Sequence, residues 1–185
     1  QLPTDVSLRD MGEHKLKDVP QPARIFQVVA PDLQSEFPAL RALDVFPNNL
    51  PAQLTSFVGR EKEILEVTQM LKQSRLLTLT GSGGTGKTRL SLQVASGILE
   101  QFKDGVWFIE LAPVSEPALV PSTVANVLRL RVEDSRPLID VVVDWLRDKE
   151  ALFILDNCEH LIDACAQFAN SILQLCRGVR ILASS

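Results

Sequence analysis

The chain has no stretch dense in lysine or arginine; 19 of its residues are basic and 23 are acidic, which gives a net charge of −4 at pH 7. Binding to a row of nucleic-acid phosphates needs clustered cations, so we expect no direct contact with DNA or RNA. No apolar run approaches the ~20 residues of a membrane helix, and the first residues lack the basic-then-apolar order of a signal peptide. These absences predict a cytoplasmic protein without membrane contact.

Cysteine is scarce, and the three cysteines form an odd number without the spacing of a disulfide framework. This pattern argues against a secreted fold that is held together by disulfide bonds. Cys165 and Cys176 lie on one apolar helical stripe, so we expect both to pack in a core with Leu161, Phe168 and Ile172. A metal site made of Cys158, His160 and Cys165 is the alternative, but its spacing matches no zinc pattern and a fourth ligand is missing.

The first 52 residues differ in composition from the rest of the chain. Residues 1–30 are typical of short β elements, with a turn predicted at Met11-Gly12. Residues 31–52 contain four prolines among scattered apolar residues, which predicts a semi-extended linker that lies against a neighbouring element.

Residues 53–185 alternate apolar strand segments with helical patterns. A parallel strand pair needs a crossover long enough to be a helix, so this alternation predicts an α/β fold with a mostly parallel sheet. Strands are expected at 75–80, at 105–111, at 151–156 and at 179–184, and helices near 60–73, 89–102, 117–129, 137–148 and 159–176. Ligands of such sheets bind beyond the carboxyl ends of the strands.

The segment "GSGGTGKT" (81–88) satisfies the phosphate-loop pattern G-x-x-x-x-G-K-[ST] between a predicted strand and a predicted helix. Its glycines let the backbone curl and expose amides to phosphate oxygens, and the helix start adds its positive end. Lys87 is expected to reach the β- and γ-phosphates, and Thr88 to give its hydroxyl to Mg2+. The candidate nucleotide contacts here are Gly81, Ser82, Gly83, Gly84, Thr85, Gly86, Lys87, Thr88 and Arg89.

Asp156 ends the apolar strand of "LFILDNCEH", where a carboxylate can help to hold Mg2+. The next residue is Asn157, which cannot accept a proton from water. Glu159 is the nearest carboxylate that could act as the hydrolytic base; the alternative is that it serves as a favourable charge at a helix N-terminus. With Lys87 and Asp156 it completes the candidate catalytic set, and we expect any hydrolysis to be slow.

The segment "FVGREKEI" (57–64) is, on physical grounds, a helix start. Together with "LLTLTGSGGTGKTRLSLQVA", "GVWFIELAPVSEPALVP", "LFILDNCEHL" and "VRILASS", it resembles the STAND class of P-loop ATPases, signalling NTPases related to AAA+ proteins and to NB-ARC modules. The resemblance covers about residues 50–185 and implies a P-loop NTPase three-layer sandwich.

In that class the "VGRE" segment lies against adenine, which implies base or phosphate contacts for Val58, Gly59 and Arg60. Ser184 and Ser185 correspond to residues near the γ-phosphate at the end of the sensor strand. The resemblance places that strand between the phosphate-loop strand and the Asp156 strand, with one sheet edge left open. A γ-phosphate-sensing Arg, a helical lid and a winged-helix domain would follow beyond Ser185.

The segment "LRDMGEHKLKDVPQPARIFQVVAP", within residues 1–30, is similar to the last strands of a class III adenylate or guanylate cyclase domain. Asp18 departs from that pattern, and the metal-binding aspartates of a cyclase would lie before Gln1, so no cyclase activity is expected. The domain prediction is therefore a cyclase-like tail (1–30), a linker (31–52) and the first part of a STAND-like NTPase domain (53–185).

The resemblance implies a switch in a bacterial regulator that binds ATP or ADP with Mg2+. Its expected partners are the nucleotide and the rest of its parent chain or further copies of itself. The alternatives are a turnover ATPase or P-loop kinase, which would need an acceptor pocket and a mobile lid, and a non-hydrolysing interaction scaffold.

Overall fold

A computed structural model describes residues 6–14, 23–30, 33, 46–51, 59–131 and 136–185. By its contacts the chain divides into two compact units, Gln1–Val45 and Phe46–Ser185. Among the described helices, none combines the length and the apolar character that a bilayer crossing requires.

In the first unit, β1 (Ser7–His14) pairs antiparallel with β2 (Ala23–Val29). The predicted turn at Met11-Gly12 is wrong, because β1 continues through these residues. Asp10 pairs with Phe26 and Gly12 with Ile25, so Met11 is the extra residue of a β-bulge. Gly12 has a φ of 89°, and its N–H donates to Asp10 Oδ1 at 2.9 Å. A glycine that tolerates positive φ serves a bulge as well as a turn.

The second unit contains a sheet of four parallel strands in the order β3-β6-β5-β4. Their bounds are β3 Leu76–Leu79, β4 Val106–Glu110, β5 Leu152–Asp156 and β6 Arg180–Ser184. The last strand therefore lies between the phosphate-loop strand and the Asp156 strand, as the resemblance implied. Within the described residues β3 is an end strand, so the expected sheet edge is open there.

The helices match the predicted pattern, with shorter bounds. They are α1 Glu61–Gln73, α2 Lys87–Gly97, α3 Val120–Val127, α4 Leu138–Leu146 and α5 Ile162–Leu175. Two predicted helices begin with separate 3₁₀ turns, at Pro117–Leu119 and at Cys158–His160. The second of these turns separates Glu159 from the α-helix that it was expected to begin.

Both faces of the sheet are covered by helices. Phe153 and Leu155 of β5 belong to the main buried cluster, which also contains residues of α3, α4 and α5. Leu152 and Ile154 point to the opposite face and are equally buried, and α2 contacts β5 and β6. Alternate residues of a strand face opposite sides, so β5 is buried on both faces, which is typical of a parallel sheet between helix layers.

Residues 46–51 cover the other end of the sheet, along β4. The Val106 N–H donates to the Pro47 carbonyl at 3.0 Å, and Asn48 forms a parallel bridge with Val106. The Asn49 side chain both donates to the Phe108 carbonyl (2.8 Å) and accepts its N–H (2.6 Å). The side-chain amide thus satisfies the backbone hydrogen-bonding groups of Phe108, as the backbone of a neighbouring strand would.

The loops before β5 and β6 approach closely at Gly178, and this contact makes a stability test. An added Cβ would lie 2.4 Å from the Lys149 carbonyl oxygen, a backbone atom that cannot move aside cheaply. We expect Gly178→Ala to lower the free energy of unfolding by about 2 kcal/mol, the cost of overpacking. Thermal unfolding followed by the fluorescence of Trp107 and Trp145 measures the change.

Gly97→Ala is the matched control, because the residue ends α2 and no atom beyond its chain neighbours and the helix's own backbone lies within 4 Å of the added Cβ. Alanine favours the helix, so its midpoint should stay or rise. Equal midpoints for the two variants would show that the Gly178 contact does not constrain the fold.

Candidate functional site

The phosphate loop connects β3 to α2 at the carboxyl edge of the sheet. Gly84 and Gly86 have φ values of 78° and 84°, in the left-handed region that side chains rarely adopt. The Thr85 hydroxyl donates to the Ser82 carbonyl at 2.9 Å and closes the loop on itself. The Gly81 N–H donates to the Ser185 carbonyl at 3.2 Å, which ties the loop to the end of β6.

The start of α2 provides a cationic and amide-rich surface. Its ladder of hydrogen bonds begins with the Leu90 N–H on the Gly86 carbonyl at 2.9 Å. The amides of Lys87 and Thr88 precede that bond, and such amides at a helix N-terminus attract anions. Lys87 Nζ lies across the loop, where it donates to the carbonyls of Gly81 (2.7 Å) and Ser82 (3.1 Å).

Thr88 and Asp156 meet directly, although 68 residues separate them in the chain. The Thr88 hydroxyl lies 2.8 Å from Asp156 Oδ1 and 2.9 Å from Oδ2, so its single proton is shared between the two oxygens. Asp156 is 7% exposed, a low value for a carboxylate. The pair brings together a hydroxyl and a carboxylate, the hard oxygen donors that Mg2+ prefers.

Ser184 adds a second hydroxyl to the same carboxylate. Its Oγ donates to Asp156 Oδ1 at 2.6 Å and accepts the Asn157 N–H at 3.0 Å. Asn157 has a φ of 66°, so the chain turns sharply after β5. Glu159 follows in the 3₁₀ turn Cys158–His160 and is exposed. Its role as a base stays a prediction.

A cleft of about 380 Å³ lies beside the phosphate loop. Arg60 immediately precedes α1 in the left-handed conformation (φ 61°), and one of its guanidinium nitrogens lies 3.8 Å from the position that a Cβ on Gly86 would occupy. Gly59 precedes it with a φ of 84°. Val58 lies outside the described residues. The cleft is lined by Arg60, Glu63, Thr78, Leu79, Thr80, Gly81, Thr85, Lys87 and Leu90.

The core packing predicted for Cys165 and Cys176 is confirmed, since both thiols are buried in the main cluster. The hydrogen bond with Cys165, and then burial, raises the pKa of the Cys158 thiol. His160 is engaged through both ring nitrogens, with Nε2 2.8 Å from the Val114 carbonyl and Nδ1 3.4 Å from Asn157 Nδ2. The described part of the chain contains no cluster of three metal-ligating side chains.

The structure therefore brings most of the predicted residues to one edge of the sheet, and their nucleotide contacts stay predictions. It also brings to the site residues that the sequence analysis did not propose as contacts, among them Glu63 and Asn157. Glu63 lies one helical turn after Arg60, and that spacing could have indicated it. Asn157 joins the site through its main chain, for which the sequence carries no signal.

Comparison with known proteins agrees with this arrangement. Residues 41–184 match the family model of the novel STAND NTPase 1. An uncharacterised protein of Mycobacterium tuberculosis is 42% identical over 132 residues, which are 71% of this chain and 34% of that protein. A protein of the same species, provisionally described as an HTH-type transcriptional regulator, is 41% identical over 116 residues, which are 63% of this chain and 13% of that protein. The chain thus spans about a third or less of these relatives.

Solved structures share the fold at low sequence identity. The ORC2 protein of Aeropyrum pernix, solved in ADPNP-ADP complexes, is 16% identical with a TM-score of 0.52, over 68% of this chain and 40% of that one. Cdc6p from Pyrobaculum aerophilum is 16% identical with a TM-score of 0.54, over 74% of this chain and 40% of that one. With its α/β fold and parallel sheet, the chain belongs to the novel STAND NTPase 1 family.

Proposed function

We propose that the chain is the nucleotide-binding part of a signalling switch, which binds ATP or ADP with Mg2+ and passes its bound state to attached domains or to further copies of itself. The observation that carries this proposal is the meeting of Thr88 with Asp156 beside the phosphate loop. Residues far apart in the chain converge at one point with the chemistry that a nucleotide–metal complex requires.

Phosphate binding rests on the loop from Gly81 to Thr88, with Arg89 following it in α2. The left-handed glycines and the first amides of α2 supply dipoles, and Lys87 supplies a full positive charge. In the structure the ammonium bonds to two loop carbonyls, which a phosphate would replace as stronger, charged acceptors. This loop therefore favours a polyphosphate over a neutral ligand.

The metal would be held by the Thr88 hydroxyl and the Asp156 carboxylate, and the donor set fits Mg2+ because both groups are hard oxygens. The ion would neutralise charge on the phosphate oxygens. The Arg60 guanidinium beside Gly86 is a further cation that could contact the phosphates or the adenine base of the nucleotide. We propose that the adenine base binds in the cleft next to Arg60 and near Gly59. Val58 stays a candidate contact on the family resemblance alone.

The attached parts are also proposed from the resemblances. One relative is provisionally described as a transcriptional regulator and is much longer than this chain, which supports a multidomain parent with an output domain. The β1–β2 hairpin supports a cyclase-like tail over residues 1–30, and the linker 31–52 would lead into the NTPase part at 53–185. The bound nucleotide would order the loops of the site, and this change would be passed to the attached domains.

Removal of the Lys87 ammonium tests phosphate binding. We expect Lys87→Ala to weaken binding of a fluorescent ATP analogue by about 100-fold, because the charge-assisted bonds to phosphate are lost. Fluorescence titration of the purified chain measures this. Lys72→Ala, in the last turn of α1, is the matched control and should bind normally. Equal affinity in both variants would count heavily against the proposal.

The metal role of Asp156 is tested by titrating the same analogue with and without Mg2+. Asp156→Asn keeps the side-chain shape but removes its charge, so the gain in affinity that Mg2+ gives should fall by about tenfold. Binding without Mg2+ should persist. Asp140→Asn, at an exposed position in the first turn of α4, serves as the control. An undiminished Mg2+ effect in Asp156→Asn would exclude this carboxylate from the metal site.

Glu159 is tested by single-turnover hydrolysis of radiolabelled ATP. If the carboxylate is the base, Glu159→Gln should slow hydrolysis by about 100-fold with unchanged nucleotide affinity. If it is a favourable charge near the start of α5, the substitution should lower stability by about 0.5 kcal/mol and leave the rate unchanged. The two readouts separate the alternatives.

A further inference from the structure

The end of β6 carries a buried polar side chain that bridges two parts of the candidate site. Ser184 is 2% exposed, and its strand lies between β3, which leads into the phosphate loop, and β5, which ends at Asp156. Its hydroxyl donates to Asp156 Oδ1 at 2.6 Å and accepts the Asn157 N–H at 3.0 Å. A buried hydroxyl that both donates and accepts is a strong geometric constraint.

We propose that Ser184 is a positioning residue that acts through Asp156 and does not touch the nucleotide itself. This inference rests on the proposed function, since it assigns a role within the same site. The family resemblance implied that this serine lies near the γ-phosphate, whereas the proposal gives its hydroxyl a contact with Asp156 and none with the phosphate.

The single proton of the hydroxyl is the first reason. A serine hydroxyl has one proton to donate, and the 2.6 Å bond commits it to Asp156 Oδ1. A phosphate oxygen, which is an acceptor, would have to compete for that proton with a buried carboxylate. Because Ser184 is almost completely buried, a phosphate oxygen could not reach its hydroxyl unless the residues packed around the end of β6 moved apart.

The orientation of the carboxylate is the second reason. Thr88 lies at nearly equal distances from both oxygens of Asp156 and so does not distinguish one oxygen from the other. Ser184 contacts Oδ1 alone and makes the two oxygens inequivalent. With Oδ1 held, the position of Oδ2 is also fixed, and a carboxylate fixed before a metal arrives loses less freedom when the metal binds.

The main chain after Asp156 is the third reason. Asn157 has a positive φ, an uncommon conformation for a residue with a side chain. Its N–H is held by the same serine hydroxyl that holds the carboxylate. Ser184 therefore sets both the direction of Asp156 and the path of the chain toward Glu159.

Binding of a fluorescent ATP analogue, with and without Mg2+, tests the positioning role. We expect Ser184→Ala to reduce the gain in affinity due to Mg2+ by about tenfold, the usual effect of losing a group that orients a metal ligand. Affinity without Mg2+ should change by less than about twofold, since the phosphate loop is intact. Ser184→Thr keeps the hydroxyl and should retain the Mg2+ gain.

Ser96→Ala is the matched control, because this half-buried hydroxyl bonds within α2 to the Gln93 carbonyl and should leave both affinities unchanged. Thermal unfolding of each variant sets a titration temperature at which it is folded. If Ser184→Ala does not fold, the threonine variant decides: a lost Mg2+ gain in that folded variant overturns the proposal.

A normal Mg2+ gain in folded Ser184→Ala would overturn the positioning role alone and leave the proposed function standing. Equal weakening of binding with and without Mg2+ would also overturn it, because it would show a direct nucleotide contact or general damage. Failure of the unsubstituted chain to bind the analogue would instead overturn the proposed function, and the positioning role with it.

Discussion

The Asp156 carboxylate is the point on which the site depends. It lies at the end of a strand buried on both faces, and it accepts hydrogen bonds from Thr88, at the start of α2, and from Ser184, at the end of β6. The carboxyl ends of the neighbouring strands β5 and β6 and the start of α2 are therefore joined by one carboxylate. A buried charge is costly unless it is well bonded, so these two hydroxyls are part of the architecture as well as of the candidate chemistry.

The arrangement follows from the parallel sheet. When parallel strands share one direction, their carboxyl ends and the loops that follow them gather along one edge. The phosphate loop after β3, the turn after β5 and the end of β6 meet there for that reason. The loop is further fixed to β6 by the hydrogen bond between Gly81 and the Ser185 carbonyl. A ligand bound at this edge would therefore contact or displace the phosphate loop, the turn after β5 and the end of β6 together.

Much of this could be predicted from the sequence where the signal is local. The phosphate loop is a contiguous pattern between a strand and a helix, and Asp156 ends an apolar run, so both were found from short windows. The strand order needed the family resemblance. The features that were predicted wrongly or missed depend on contacts between residues far apart in the chain. The Met11-Gly12 segment is a bulge because β2 pairs with β1 on both sides of Met11. The hydrogen bonds of the Asn49 side chain to Phe108 and of Ser184 to Asp156 join residues far apart in the chain, so no sequence pattern indicates them.

The central claim is that a polyphosphate and its metal are held by the amides of residues 81–88 together with the Thr88–Asp156 pair. Amide hydrogen exchange of the chain, followed by mass spectrometry with and without saturating ADP and Mg2+, tests it most directly. The account predicts slowed exchange in peptides that cover residues 81–88 and 156–157, with little change in β1 and β2. Protection confined to other segments, or none at saturating nucleotide, would contradict it.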